Sequence, residues 1–166
     1  PNDEVLREIV KLTHDTVRDF ATGPVMAMLS FSNLGAGVDG GPKYVSNTIK
    51  YFHEKQPDYV IDGEMQLNFA MNKELRDKTF PFNSLKGKDV NTLIFPNLSS
   101  ANISSKLLME LGIAGESIGP IQMGLRKPVH FTDIESSVRD IINLTAVAAV
   151  DAIANQGGKI IENGDE

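Results

Sequence analysis

The sequence predicts an α/β fold in three layers, a mainly parallel sheet with helices on both faces. Residues 25–32 and 90–95 are nearly continuous apolar runs, the pattern of strands covered on both sides. Segments with apolar residues at three- and four-residue spacing lie around them, the pattern of amphipathic helices. Strand and helix alternate from residue 25 onward, the order that builds a parallel sheet.

Residues 3–21 read as a helix. Leu6, Ile9, Val10, Thr13, Val17 and Phe20 share one face, and Arg7, Lys11, Asp15 and Arg18 oppose it. Asn2 or Asp3 caps its start and Gly23-Pro24 stops it. After the first strand, residues 35–41 form a glycine-rich loop. Pro42 then suits the first position of a helix that carries Val45, Thr48, Ile49 and Phe52 inward and ends before Pro57. Tyr59-Val60-Ile61 is the second strand, running into Asp62-Gly63-Glu64-Met65-Gln66. A polar helical patch and a turn at Phe80-Pro81-Phe82 precede the third strand at 90–95. Ser99 or Ser100 caps the next helix, with Ile103, Leu107, Leu108 and Leu111 as its apolar positions. Residues 118–123 and 128–131 read as two more strands joined by a short loop. The last helix starts near Ser136-Ser137 and is apolar almost all round, which places it at the centre of the packing. Residues 1–155 therefore read as one domain, and 156–166, with Gly157-Gly158 and an acidic end, as a flexible tail.

Sixteen Lys+Arg against 22 Asp+Glu give a net charge of −6. The densest cationic groups, Lys86-Gly87-Lys88 and Arg126-Lys127, read as turns. No concentrated basic patch is available for nucleic acid. The absence of cysteine excludes disulfides, thiolate metal sites and cysteine nucleophiles. No apolar run approaches the ~20 residues of a membrane span. The start at Pro1, without methionine or leader, reads as a piece of a longer cytoplasmic polypeptide.

Sites in parallel sheets form beyond the carboxyl ends of the strands. That rule selects residues 30–33, 62–66, 96–102 and 132–137. The candidate ligand-binding residues are Ser32, Asn33, Asp62, Glu64, Asn97, Asn102, Asp133 and Asp140; none is assigned as catalytic or as a metal ligand. Gly35-Ala36-Gly37-Val38-Asp39-Gly40 matches G-x-G-x-x-G, and 62 − 40 = 22 residues separate Gly40 from Asp62, close to the ~20 of a dinucleotide fold. Ser32-Asn33-Leu34 delay the first glycine, however, and Gly41-Pro42 delay the helix. The loop reads as a long connection rather than a pyrophosphate cradle. His14, His53 and His130 lack metal-ligand spacing, and His14 and His53 read as surface residues. No serine sits in a G-x-S-x-G elbow. Asp62 and Glu64 suit acid/base work or, more simply, acceptance of backbone amides. Asp140, three residues after Ser137, completes a capping box with Asp in place of Glu.

Further motifs carry a resemblance. Ala27-Met28-Leu29-Ser30-Phe31-Ser32-Asn33, Val60-Ile61-Asp62-Gly63-Glu64-Met65-Gln66, Leu93-Ile94-Phe95-Pro96-Asn97-Leu98, Lys127-Pro128-Val129-His130 and Ser137-Val138-Arg139-Asp140-Ile141-Ile142-Asn143 resemble the phosphate acetyl/butyryltransferase family. The likeness runs in order over nearly the whole chain. It implies the second subdomain of a phosphotransacetylase-like (isocitrate/isopropylmalate dehydrogenase-like) fold, plus its closing helix. Within the family, Ser-Phe-Ser-Asn and Asp-Gly-Glu-Met-Gln are similar to the version appended to large NADP-dependent malic enzymes.

Active phosphotransacetylases carry a serine where Asp133 stands, an arginine where Ile134 stands, and an aspartate at Asp140. Only the aspartate is kept. Loss of a guanidinium removes charge stabilisation of the kind worth ~3 kcal/mol or more, and an anionic Asp133 repels phosphate. The resemblance therefore implies a regulatory and assembly domain rather than an acyltransferase. It would bind acetyl-CoA or a related metabolite, pair into a dimer, and contain no cofactor of its own. NADP and a divalent metal (Mg or Mn) would belong to an upstream malic-enzyme module that decarboxylates malate to pyruvate. Half of an active acyltransferase and a dinucleotide-binding module are the alternatives.

Overall fold

The computed structural model describes residues 1–20, 22–37, 39–112, 117–132, 134 and 136–155. The chain separates into two compact units, Pro1–Leu111 and Gly112–Glu166.

In the first unit, helix α1 spans Asp3–Asp19, with the Asn2 side chain accepting from the Val5 amide as its cap. Strand β1 is Met26–Leu29, α2 is Gly40–Lys55, and β2 is Ile61–Met65. Two short helices follow, α3 at Leu67–Met71 and α4 at Lys73–Thr79, then β3 at Thr92–Ile94 and α5 at Leu98–Glu110. The three strands form one parallel sheet in the order β2-β1-β3.

Alternation along β1 divides the core between the two faces of the sheet. Met26 and Met28 join Ile61 and Ile94 on one face, covered by Leu6 and Val10 of α1 and Val45, Ile49 and Phe52 of α2. Ala27 and Leu29 join Met65, Ala70 and Leu85 in a second cluster. The cross-strand register agrees, pairing Met26 with Ile61, Leu29 with Met65, and Met28 with Ile94. Gly63 permits the close approach of β2 to β1. It has φ +151, and a Cβ there would lie 2.6 Å from the Met28 carbonyl oxygen.

Several expectations change. Pairing in the second strand starts at Ile61, not Tyr59, because the Tyr59 ring turns away to stack on His14 at 4.0 Å and to meet Phe52 at 4.8 Å. His14 is consequently not a surface residue, its side chain being only 12% accessible. Asn97, not Ser99 or Ser100, caps α5 by accepting from the Ser100 amide. None of the residues of α5 is buried, and Ile103, Leu107, Leu108 and Leu111 are exposed. The two sheet-side clusters close without them.

In the second unit, described residues 117–132 contain no strand. Gly119 and Gly124 have positive φ, and Pro120 and Pro128 lack amide donors, so this stretch cannot sustain a ladder. Helix α6 spans Val138–Asn155. Its Leu144 and Val147 are buried, but Val138, Ile141, Ile142 and Ile153 are exposed, so the helix is not enclosed on every side. Ser137 donates its amide and hydroxyl to Asp140 Oδ2, and the Asp140 amide donates back to Ser137 Oγ at 3.2 Å. That is the capping box read from the spacing.

Phe52 is wholly buried and joins the sheet face to the ring stack. Phe52→Ala is expected to destabilise the protein by ~3–5 kcal/mol, read as a lower urea midpoint at unchanged slope.

Candidate functional site

The carboxyl ends of the strands carry a network centred on one buried carboxylate. Glu64 lies in β2 with no exposed surface. Its Oε1 accepts from the Ser32 hydroxyl at 3.0 Å and from the Gly35 and Gly37 amides at 3.2 Å each. The Leu34 amide donates to the Glu64 carbonyl at 2.6 Å. The loop after β1 is therefore wrapped around a side chain of β2. Taking a carboxylate out of water costs several kcal/mol, and donors to a charged acceptor return about 1.5–3 kcal/mol each. Three donors on Oε1 offset part of that cost, while Oε2 is buried without a hydrogen-bond partner among the described residues.

Glycine is required in that loop for two reasons. Gly35 has φ +95, a left-handed conformation costly for other residues. A Cβ on Gly37 would collide with Pro42 and come within 2.6 Å of Ser32 Oγ. Two amides of the G-x-G-x-x-G loop, those of Gly35 and Gly37, are donated to Glu64 rather than left for a pyrophosphate. The G-x-G spacing has an internal explanation.

Neighbouring polar groups extend the frame. Asn33 Oδ1 accepts from the Gln66 amide at 2.8 Å, and Gln66 Nε2 donates to the Phe31 carbonyl at 2.7 Å. Buried Asp62 accepts from the Gly63 amide at 2.9 Å and the Ser84 amide at 2.6 Å. Both carboxylates anticipated for acid/base work thus accept backbone amides.

Beside this frame opens a cavity of about 400 Å³. Leu29, Phe31, Pro42, Leu67 and Phe95 give it apolar walls, while Ser30, Asn97, Ser100 and Ser104 supply polar groups. Among the described residues lining it, none is charged. Phe31 is 77% exposed and Leu67 52%, so its mouth is greasy.

Of the eight residues selected from sequence, Asn97 lines the cavity. Ser32, Asn33, Asp62 and Glu64 direct the polar atoms described above into the loops. Asn102 is exposed on α5, its carbonyl accepting from the Ser105 hydroxyl. Asp133 lies outside the described residues. Asp140 belongs to the second unit, where the Ser137 hydroxyl and amide hold its carboxyl below the ordinary aspartate range. The same unit places Ile134 at 99% exposure. The walls formed by Pro42, Leu67 and Phe95 were missed in the sequence, since an apolar lining reads as core; the nearby polar residues 30–33 and 96–102 were the only signal.

The sequence model for phosphate acetyl/butaryl transferase matches residues 1–149. The chain belongs to that family. It is 38% identical over 152 residues to the NADP-dependent malic enzymes of Salmonella typhimurium and Escherichia coli, covering 92% of this chain and 20% of each relative. It is 33% identical over 153 residues to the phosphate acetyltransferase of Bacillus subtilis, covering 92% of this chain and 47% of that one. A phosphotransacetylase structure from Streptococcus pyogenes superposes with a TM-score of 0.83 at 35% identity, over 93% of this chain and 46% of the other. The EutD phosphotransacetylase from Staphylococcus aureus gives 0.79 at 29% identity, over 92% and 47%. The chain thus spans about a fifth of the length of these malic enzymes and just under half that of the phosphotransacetylases.

Glu64→Gln keeps the side-chain volume but removes the charge from the acceptor. It is expected to cost ~1–3 kcal/mol and to speed amide exchange at Gly35 and Gly37 ahead of the rest of the first unit. Unchanged stability and exchange would mean that the loop does not depend on Glu64.

Proposed function

We propose that this chain is a non-catalytic, ligand-binding and assembly part of an NADP-dependent malic enzyme, taking acetyl-CoA or a related acyl thioester as effector. The observation that carries this reading is the uncharged, largely apolar lining of the carboxyl-edge cavity. An acyl thioester has an uncharged, partly apolar arm that suits such walls. Moving an acyl group between CoA and phosphate needs cations aimed at the attacking phosphate and the leaving thiolate. Ile134 and Asp133, standing where the family's arginine and serine are expected, weigh against acyl transfer in the same direction. Asn97 would meet the ligand directly; Ser32, Asn33, Asp62 and Glu64 would hold the walls. Asn102, Asp133 and Asp140 remain in the proposed ligand set on family position alone. Malate decarboxylation, with NADP and Mg or Mn, is assigned to parts of the protein outside this chain, and the setting is cytoplasmic. No helix among the described residues is long and apolar enough to cross a membrane.

Isothermal calorimetry of acetyl-CoA against the full-length natural protein tests the reading. Saturable binding weakened about tenfold or more by Phe31→Ser is expected, with CoA release from acetyl-CoA and phosphate more than tenfold below a genuine phosphotransacetylase. Absence of binding, or turnover within tenfold of such an enzyme, overturns it.

Assembly is the second part of the proposal. Leu98, Ile103, Leu107 and Leu111 on α5, and Val138, Ile141, Ile142 and Ile153 on α6, are all exposed. Exposed apolar helix faces of this extent mark interfaces, and a two-fold pair is the commonest way to cover them. Analytical ultracentrifugation at micromolar concentration is expected to give twice the 18.1 kDa of the chain. Sedimentation as a monomer at every concentration would refute the pairing.

A further inference from the structure

The opposite end of the sheet, where the strands begin, opens on a second cavity of about 750 Å³. It shares no described lining residue with the cavity at the carboxyl ends. Its walls come from the last turns of α1, the segment entering β1, the segment entering β2, and the loop before β3.

Hydrogen bonds to the backbone hold these walls in place. Asn91 accepts from the Val25 amide and donates to the Gly23 carbonyl, both at 2.8 Å. The wholly buried guanidinium of Arg76 donates to the carbonyls of Lys88 at 2.6 Å, Leu85 at 3.0 Å and Ala70 at 3.3 Å. The backbone that presents Lys88 is thus pinned from beneath. Tyr59 is clamped between His14 and Phe52. Burial first, and then the Asp15 carboxylate, raise its phenol above the ordinary value, so it stays a hydrogen-bond donor at neutral pH. A cavity with walls fastened in this way is ordered before any ligand arrives, which lowers the entropic cost of binding.

Its charges remain available. Arg18 on α1, Lys88 before β3 and Asp58 before β2 all line the space, and among the described residues none of the three forms an ion pair. Asp15 lines it too, 3.1 Å from His14 Nδ1. Charges of both signs therefore face one concave space, Arg18 and Asp15 from α1, Asp58 from the segment entering β2 and Lys88 from the loop before β3. A polyanion would meet Asp15 and Asp58, and an apolar ligand would strip water from all four charges. A ligand with one group of each sign satisfies both sets, and Pro24, Val25 and Val60 offer a surface for a short side chain.

We propose that this cavity binds a free α-amino acid, with Arg18 and Lys88 on its carboxylate and Asp58 and Asp15 on its ammonium. The site is independent of the acyl-thioester reading.

The twenty common amino acids, titrated one at a time to ~10 mM against the full-length natural protein in a calorimeter, test the proposal. Saturable binding of at least one is expected. Its decarboxylated amine and its deaminated acid should each bind at least ~10-fold more weakly, because each leaves charges of one sign without a partner. Arg18→Gln and Asp58→Asn, surface changes that leave the thermal midpoint in place, should each weaken it by a similar factor. Phe31→Ser, in the other cavity, should leave it unchanged. No saturable binding, equal affinity for the deaminated acid, or binding that survives Arg18→Gln and Asp58→Asn overturns the assignment.

Discussion

Glu64 sits out of water in the last turn of sheet before the chain leaves β2, and its carboxylate constrains everything at that end of the molecule. A buried anion needs donors within hydrogen-bond reach. Ser32, Gly35 and Gly37 supply them, so the loop after β1 must curl back over β2. That curl needs a left-handed Gly35 and leaves no room for a side chain at Gly37, against Pro42. Pro42 is the third residue of α2 and not its first as expected, the helix starting at Gly40. Phe31 and Pro42, which wall the carboxyl-edge cavity, flank the residues so held. One carboxylate thus links strand pairing, loop path, helix entry and cavity shape.

The amino end of the sheet is fastened differently. There a buried cation, Arg76, gathers backbone carbonyls from three points of the chain, and Asn91 ties the entry of β1 to that of β3. Both devices satisfy main-chain groups that lie outside the strand ladders. Between the two ends the β1 side chains pack on both faces, as their continuous apolar pattern implied. The sheet is narrow, yet polar contacts of opposite sign close it at either end.

Legibility in the sequence followed burial pattern closely. Helices α1 and α2 were readable because Leu6, Val10, Val45, Ile49 and Phe52 recur at helical spacing and do pack on the sheet. The limits of β2 were not, because Asp62 and Glu64 are polar residues in buried strand positions, and their long-range partners arrive from residues 22 to 32 positions away. Segments 118–123 and 128–131 have strand-like composition but no neighbouring ladder, which composition cannot report. Helices α5 and α6 show the reverse failure, since apolar residues there mark exposed surface rather than core. At the site, Asn97 was visible as a polar residue after a buried strand. Phe95, Leu67 and Pro42 were invisible because nothing in their chemistry separates a cavity wall from a core.

Charge placement is what separates the two cavities chemically. At the carboxyl edge the charged groups, Asp62 and Glu64, are turned inward and accept from backbone amides, and the described residues lining the cavity carry no charge. A neutral lining offers no cation to an attacking phosphate or a leaving thiolate. At the amino edge the buried Arg76 and the exposed Asn91 are likewise occupied by backbone, but further charges, Arg18, Lys88 and Asp58, stand at the cavity wall. The first arrangement favours recognition by shape and apolar contact, the second by paired charge. In this family fold, backbone fastening preserves the geometry, while the side chains left over determine what each cavity offers at its surface.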